Sequence, residues 1–169
     1  PARTLTLTDK IQTTKLLLAS GADIDEMNCV RKHLSRVKGG GLAGIAYPAR
    51  LVNLILSDVI SDRIDTIASG ITAPDPTTFA DALAIARKYS LENKLSPVVT
   101  EHLLRGTKGL IQETPKENDS VFKKMVNIII GNNTLACRAA LREAKNLGYE
   151  ARLLTTALAG EASEAGMMF

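Results

Sequence analysis

The sequence contains no tryptophan and only three tyrosines and three phenylalanines. Proteins that grip single-stranded nucleic acid stack bases on aromatic rings, so a nucleic-acid partner is not expected. Cysteine is almost as scarce. Cys29 and Cys137 lie far apart, and neither belongs to a CxxC or Cys/His cluster. A structural zinc site is therefore not expected. Both fall on apolar helix patterns and read as buried free thiols, a usage that fits a reducing cytoplasm. No run approaches the roughly 18 apolar residues of a membrane span, and no basic-then-apolar leader opens the chain. Neither a GxGxxG after a strand nor a Gly-Lys-Ser/Thr at Walker spacing occurs. A nicotinamide-dependent reductase and a P-loop are set aside on that ground. No internal repeat is visible.

What remains is an ordinary globular composition. The 169 residues are 45% hydrophobic and 23% charged, with mean hydropathy +0.04. That length suits one domain with a core of its own. Net charge is +3, a mildly basic surface compatible with an anionic small molecule.

Along the chain, Thr8 is expected to cap a first helix carrying Ile11, Leu16, Leu17 and Leu18, stopped at Ser20-Gly21. Asp23 and Glu26 have the spacing of a capping box. The helix they open repeats Ile24, Met27, Val30, Leu34 and Val37 every three or four residues. Arg31, Lys32, Arg36 and Lys38 lie off that seam. Such cations complement the helix C-terminus or face an anion. Gly39-Gly40-Gly41 then breaks the helix; glycines allow positive φ and a close backbone approach, or an anion cradle of amides. Leu42 to Ala46 reads as a short helix.

Leu51 to Leu56 is a short apolar run and is expected to be a buried strand. It is followed by Ser57, Asp58, Asp62, Asp65, Ser69, Gly70, Thr72 and Asp75. Carboxylates and hydroxyls beyond a strand end can hold a metal ion or orient a substrate, or simply cap and turn the chain. Helices are expected from about Asp75 to Tyr89 and from Ser96-Pro97 to Gly106, with His33 as a structural residue and His102 as an exposed or partly packed helix residue. Ile111 to Ser120 reads as a polar surface loop. Val126 to Ile130, Thr134 to Leu147 and Ala151 to Thr156 read as strand, helix and strand, a βαβ unit with parallel strands. Asn132 or Asn133 would cap that helix or meet a phosphate.

Several longer motifs resemble those of one family, the glycerate 2-kinases that carry a C-terminal MOFRL domain, members of which are often labelled hydroxypyruvate reductase. They are Leu16-Leu-Leu-Ala-Ser-Gly-Ala-Asp-Ile, Val30-Arg-Lys-His-Leu-Ser-Arg-Val-Lys-Gly-Gly and Leu54-Ile-Leu-Ser-Asp-Val. Ile67-Ala-Ser-Gly-Ile-Thr-Ala-Pro-Asp-Pro-Thr-Thr-Phe, Asn127-Ile-Ile-Ile-Gly-Asn-Asn and Gly160-Glu-Ala follow in the family's order. The resemblance implies a Rossmann-like three-layer α/β/α fold with a mostly parallel sheet. It implies transfer of the γ-phosphoryl group of ATP, with Mg²⁺, to the 2-hydroxyl of D-glycerate.

The resemblance supplies motif positions; the roles follow from phosphoryl-transfer chemistry, which needs positioning and charge neutralisation. Lys32 and Lys38 would offset phosphate or carboxylate charge, and Gly39 and Gly40 would allow backbone approach. Asp58 and Asp62 would hold Mg²⁺ or orient the hydroxyl. Ser57, Ser69, Gly70 and Thr72 would contact substrate or phosphate, with Asn132 at the second strand end. The sequence departs from the family pattern at Ser61, usually Gly, at Ile71, usually Pro, and at Gly41, often Arg. The family's upstream glycine-rich loop and its MOFRL domain have no counterpart in residues 1–169. The chain is therefore expected to be a single α/β domain resembling the latter part of the N-terminal domain, inactive by itself. A non-catalytic Rossmann-like ligand-binding or interaction module is the alternative. Unsatisfied strand edges would favour a homo-oligomer.

Overall fold

Helix starts follow the capping chemistry written into the chain. The computed structural model describes residue 2 and residues 4–167. Helix α1 (Leu7–Ala19) starts from Thr6, whose hydroxyl accepts from the Asp9 amide while the Asp9 carboxylate accepts from the Thr6 amide. The expected cap at Thr8 is displaced by this reciprocal pair, two residues earlier. Helix α2 (Ile24–His33) opens with the predicted Asp23–Glu26 box. It ends at Leu34, so Val37 lies beyond it. Gly40, at φ 78°, leads into α3 (Gly41–Ala46). Helix α4 (Phe79–Lys88) has a third capping box, between Thr78 and Asp81. Helix α5 (Pro97–Thr107) has Pro at its start, but Ser96 does not cap it. The Ser96 hydroxyl instead donates to Asp9 at 2.8 Å.

Strand β1 (Leu51–Leu56) and strand β2 (Met125–Gly131) are neighbours in a two-stranded parallel sheet. Helix α6 (Asn133–Asn146) follows β2, capped by Asn132, and a six-residue α7 (Ala162–Met167) comes last. The fold is thus α/β with a parallel sheet, as expected, and the sheet is small. Two expectations fail. Residues 151–156 form no strand, so the βαβ unit lacks its third element. That segment is mostly exposed and has no ladder partner, and strand geometry is not self-supporting. Nor is β1 a buried strand. Ile55 is buried, whereas Val52, Leu54 and Leu56 are exposed.

The chain divides into two units. The first comprises Pro1–Asn53 and Ile64–Asn127, the second Leu54–Arg63 and Ile128–Phe169. The core of the first unit is helical. Leu17, Val30, Leu34, Leu83, Val99 and Leu103 are its centre, with α2 packed on α1 and α4, and α4 on α5. Phe79 anchors it, its ring edge-on to His33 at 4.7 Å and to His102 at 5.6 Å. His102 is buried, not exposed, because its Nε2–H donates to the His33 carbonyl at 2.9 Å. In the second unit Cys137 is only half-buried, beside Asn133.

Gly106 does not stop α5 but lies within it, where the Phe79 ring fills the space a Cβ would need. A methyl group there would come within 2.1 Å of ring carbons. Gly106→Ala is expected to destabilise the chain by about 2 kcal/mol, overpacking outweighing the better helix propensity of Ala. Urea denaturation measures this; an unchanged midpoint would refute it.

Candidate functional site

In the first unit the site is built on one buried carboxylate. Asp75 is wholly inaccessible. Its Oδ1 accepts from Lys32 Nζ at 3.1 Å, from the Thr77 amide at 3.1 Å and from the Thr77 hydroxyl at 2.7 Å. Its Oδ2 accepts from the Thr114 hydroxyl at 3.0 Å. Burial raises the Asp75 pKa, but the Thr77 hydrogen bonds and the Lys32 charge outweigh it and hold the carboxyl below the usual range. Residues 111–120 are therefore more than a surface loop. Lys116 Nζ donates to the carbonyls of Asp75 and Thr77, and the Asp75 amide donates to Pro115. Glu113 accepts from His33 Nε2 at 2.9 Å and from the Phe79 amide at 3.0 Å. His33 is structural, as expected.

Above Asp75 the glycine turn meets residues 68–70. The Gly39 amide donates to the Ser69 carbonyl at 2.9 Å and the Gly40 amide to the Gly70 carbonyl at 2.7 Å. The close approach expected of these glycines is real, and it is toward protein. A Cβ at Gly39 would lie 3.0 Å from Asp75 Oδ2, and one at Gly40 would lie 2.9 Å from the Ala73 carbonyl oxygen. Ala68, Ser69 and Gly70 are all left-handed, at φ 52°, 59° and 64°. Lys38 secures this segment. Its Nζ donates to the Ala68 carbonyl at 2.8 Å and the Ser69 hydroxyl at 3.2 Å, and that hydroxyl donates to Asn28 at 2.8 Å. Burial, then the charges of Arg31 and Lys10, lowers the Lys38 pKa to about 8. Thr72 is buried, its hydroxyl donating to Asn127 at 2.6 Å and accepting from Asn53 at 2.9 Å. Lys32, Lys38, Gly39, Gly40, Ser69 and Gly70 are thus drawn into one cluster around Asp75, while Thr72 is tied to the strand asparagines.

The second unit carries the other predicted residues. Ser57 is buried, and its amide donates to the Gly131 carbonyl at 2.8 Å. Asp58 is exposed and has no hydrogen-bond or ion-pair partner among the described residues. Asp62 is positioned by Asn132. The Asn132 Oδ1 caps α6 by accepting from Leu135 N at 2.9 Å, and its Nδ2 donates to Asp62 Oδ2 at 2.6 Å. Ser61 and Asp62 are left-handed, at φ 65° and 56°. Ser61 thus adopts a conformation that glycine takes without strain. No group of three or more His, Cys, Asp or Glu that could hold a metal ion occurs among the described residues. Two hard oxygen donors in one loop still suit Mg²⁺, which takes one or two carboxylates and fills its other positions with water and phosphate oxygens.

Sequence reasoning missed Asp75 as the hub, and with it Asn28, Asn53, Asn127, Glu113 and Thr114. Asn53 and Asn127 left a signal, since each interrupts an apolar strand. Glu113 and Thr114 left none; only tertiary folding brings them to α2 and Asp75.

These features define an α/β protein with a parallel sheet and an anion-compatible, lysine-bearing loop cluster. Residues 1–104 match the family described as "Domain of unknown function (DUF4147)", and the chain belongs to that family. It is 45% identical to a glycerate 2-kinase of Pyrococcus horikoshii over 99% of its own length and 37% of the relative's. It is 42% identical to a D-glycerate 2-kinase of Thermotoga maritima, covering 98% of this chain and 37% of that one. The crystal structure of a Thermotoga maritima glycerate kinase superposes with a TM-score of 0.79 at 42% identity, over 99% of this chain and 37% of that one. The chain therefore spans little more than a third of the length of these relatives.

Two outcomes test the geometry. Ser61→Gly is expected to stabilise the chain by about 1 kcal/mol through relief of left-handed strain, read from the urea midpoint. A lower midpoint would show that the serine side chain holds the loop. In NMR of methylated lysines, one resonance should titrate near pH 8 and vanish in Lys38→Arg. Titration of every lysine above pH 10 would refute the environment described for Lys38.

Proposed function

We propose that this chain is part of an ATP-dependent glycerate 2-kinase, contributing residues that bind phosphate and orient the acceptor hydroxyl of D-glycerate. The carrying observation is the match to relatives named glycerate 2-kinase at 42–45% identity over almost the whole chain. On this reading residues 1–169 form part of the N-terminal domain of a longer protein whose further region includes a MOFRL domain. The hydroxypyruvate reductase label would refer to the same protein.

Each unit has its own task. In the first, the Lys38 ammonium offsets phosphate charge from a position fixed by Ala68 and Ser69. Lys32 acts from beneath. Its ammonium is committed to Asp75, and its stem packs under Gly39, so it sets the height of the glycine turn. In the second unit, Asp58 is free to accept a hydrogen bond from the substrate hydroxyl, and Asp62 is aimed by Asn132. Asp58 and Asp62 would hold Mg²⁺, which when bound neutralises charge on the phosphate oxygens. Catalysis then rests on orientation and electrostatics rather than on a covalent intermediate.

The second reading, a ligand-binding module without chemistry, draws on Ser61 and Ile71, which depart from the family pattern in the site loops. The two readings separate in one assay. ADP formation from Mg-ATP and D-glycerate is expected to be absent for the 169-residue chain. It should be robust when flanking regions of the length found in the relatives are supplied, and to fall at least about 100-fold in Asp58→Asn of that longer protein. Silence in the longer protein would favour the binding module. Activity of the 169 residues alone would overturn the two-part reading.

A further inference from the structure

The first unit contains an open cavity of about 860 Å³, walled by the end of α2, by α3 and α5, and by residues 110–115. It is not the cluster around Asp75. Neither Asp75 nor any of residues 68–70 lines it. Lys38 does, but its ammonium is bonded to Ala68 and Ser69. A cavity of this volume is the size of a small-molecule site. Such sites hold their ligand by an apolar wall and a few placed polar groups.

The buried polar side chains of the wall are committed to the protein. Lys32 is paired with Asp75, both ring nitrogens of His33 donate, to the Cys29 carbonyl and to Glu113, and His102 donates to the His33 carbonyl. The wall's carboxylates, Glu113 and Asp119, already accept from His33 and from the Lys116 amide. Two guanidiniums differ. Arg36, after α2, and Arg105, on α5, both line the cavity, and neither side chain has a hydrogen-bond or ion-pair partner among the described residues. Elsewhere the fold supplies a carboxylate, as Glu92 to Arg87 at 2.8 Å. Apolar surface is open at the same place. Ile45 and Leu110 line the cavity and are 56% and 64% exposed. Gly44 keeps the α3 side clear, since a Cβ there would meet nothing nearer than Pro115 at 3.9 Å.

We propose that this cavity is a second ligand site, for a small organic anion with a phosphate or carboxylate head and an apolar body. Arg36 and Arg105 hold the head, and Ile45, Leu110 and Val121 meet the body. A planar guanidinium matches either head group with paired hydrogen bonds. A neutral apolar compound would leave both guanidiniums without a partner, and an inorganic anion would leave the apolar wall wet. The wall is preformed, which lowers the cost of binding. Glu113 is fixed by His33 and the Phe79 amide, and the Pro115 carbonyl accepts from the Asp75 amide. The proposal is independent of the kinase reading, because Asp58, Asp62 and residues 68–70 take no part in the cavity.

Phenyl phosphate, benzoate, inorganic phosphate and benzyl alcohol are the probes, each titrated into the chain and followed by NMR of labelled methyl groups. Phenyl phosphate or benzoate should shift the methyl resonances of Ile45, Leu110 and Val121, and the tighter of the two identifies the head group. That probe should bind about tenfold or more tightly than inorganic phosphate or benzyl alcohol. Arg36→Gln and Arg105→Gln should each weaken it by about tenfold or more, while melting with the parent chain because neither arginine is paired. Gly44→Leu, which fills the cavity, should abolish binding, and the two glutamine variants carry the test if it melts early. Arg142→Gln, on α6, should change nothing. Shifts confined to other methyl groups, inorganic phosphate or benzyl alcohol binding as tightly, or arginine variants that bind normally would overturn the proposal. In the longer protein, Arg105→Gln should keep ADP formation while losing probe binding; loss of both would overturn the separateness of the site. A longer protein that is silent yet binds the probe through Arg36 and Arg105 would remove the kinase reading and leave this site standing.

Discussion

The first unit depends on the buried pairing of Lys32 with Asp75. Two charges removed from water are tolerable only when each is compensated, and removing one partner of such a pair costs about 3–5 kcal/mol. Here the compensation is nearly complete, because Thr77 and Thr114 occupy the remaining carboxylate positions. The pairing joins α2 to the segment before α4 and holds the strap at residues 113–116 over both. Gly39 lies directly above it, with no room for a Cβ between Asp75 and the Lys32 stem. The glycine turn is thus a consequence of the ion pair, whose side chains occupy the space a larger residue would need.

Local chemistry was legible where it acts within a few residues. The Asp23–Glu26 box, Pro97 opening a helix, Asn132 as a cap and the apolar runs of β1 and β2 could all be read from spacing. The Thr6 cap was misplaced by two residues because Thr6 and Thr8 are chemically equivalent caps, and only Asp9, three residues after Thr6, decides between them. Residues 151–156 were misread for the opposite reason. Their strand-like composition states a preference that needs a neighbouring strand, and none pairs with them. The helical core was underestimated because an apolar run such as Leu51 to Leu56 announces itself more loudly than a seam spread over four helices.

The candidate site was legible in composition but not in wiring. Lys38, Ser69 and Gly70 stood out as residue types, yet their connection runs across 31 positions. Asp75 was visible as one polar residue among several in a loop. Nothing in its neighbours Pro74 and Pro76 marks it as wholly buried, whereas Lys32, His33, Thr77 and Thr114 reach it only after folding. A carboxylate's rank in a site is set by what surrounds it in space, and sequence spacing carries little of that.

The glycine turn shows how function and wiring separate. A glycine-rich turn before a helix invites the expectation of amides presented to a phosphate, as at many helix N-termini. In this chain the Gly39 and Gly40 amides are already bonded to the carbonyls of Ser69 and Gly70. An amide that donates to a carbonyl has no second proton for a ligand. The Lys38 side chain is held at this turn by the same 68–70 segment that takes the amides. The glycines serve the site by letting two backbones approach closely enough to pair, and that pairing turns the Ala68 carbonyl and Ser69 hydroxyl toward the lysine. Strain at Ala68 and Ser69, closeness at Gly39 and Gly40, and the fixed position of Lys38 are three aspects of one arrangement, and each loses its reason if another is removed.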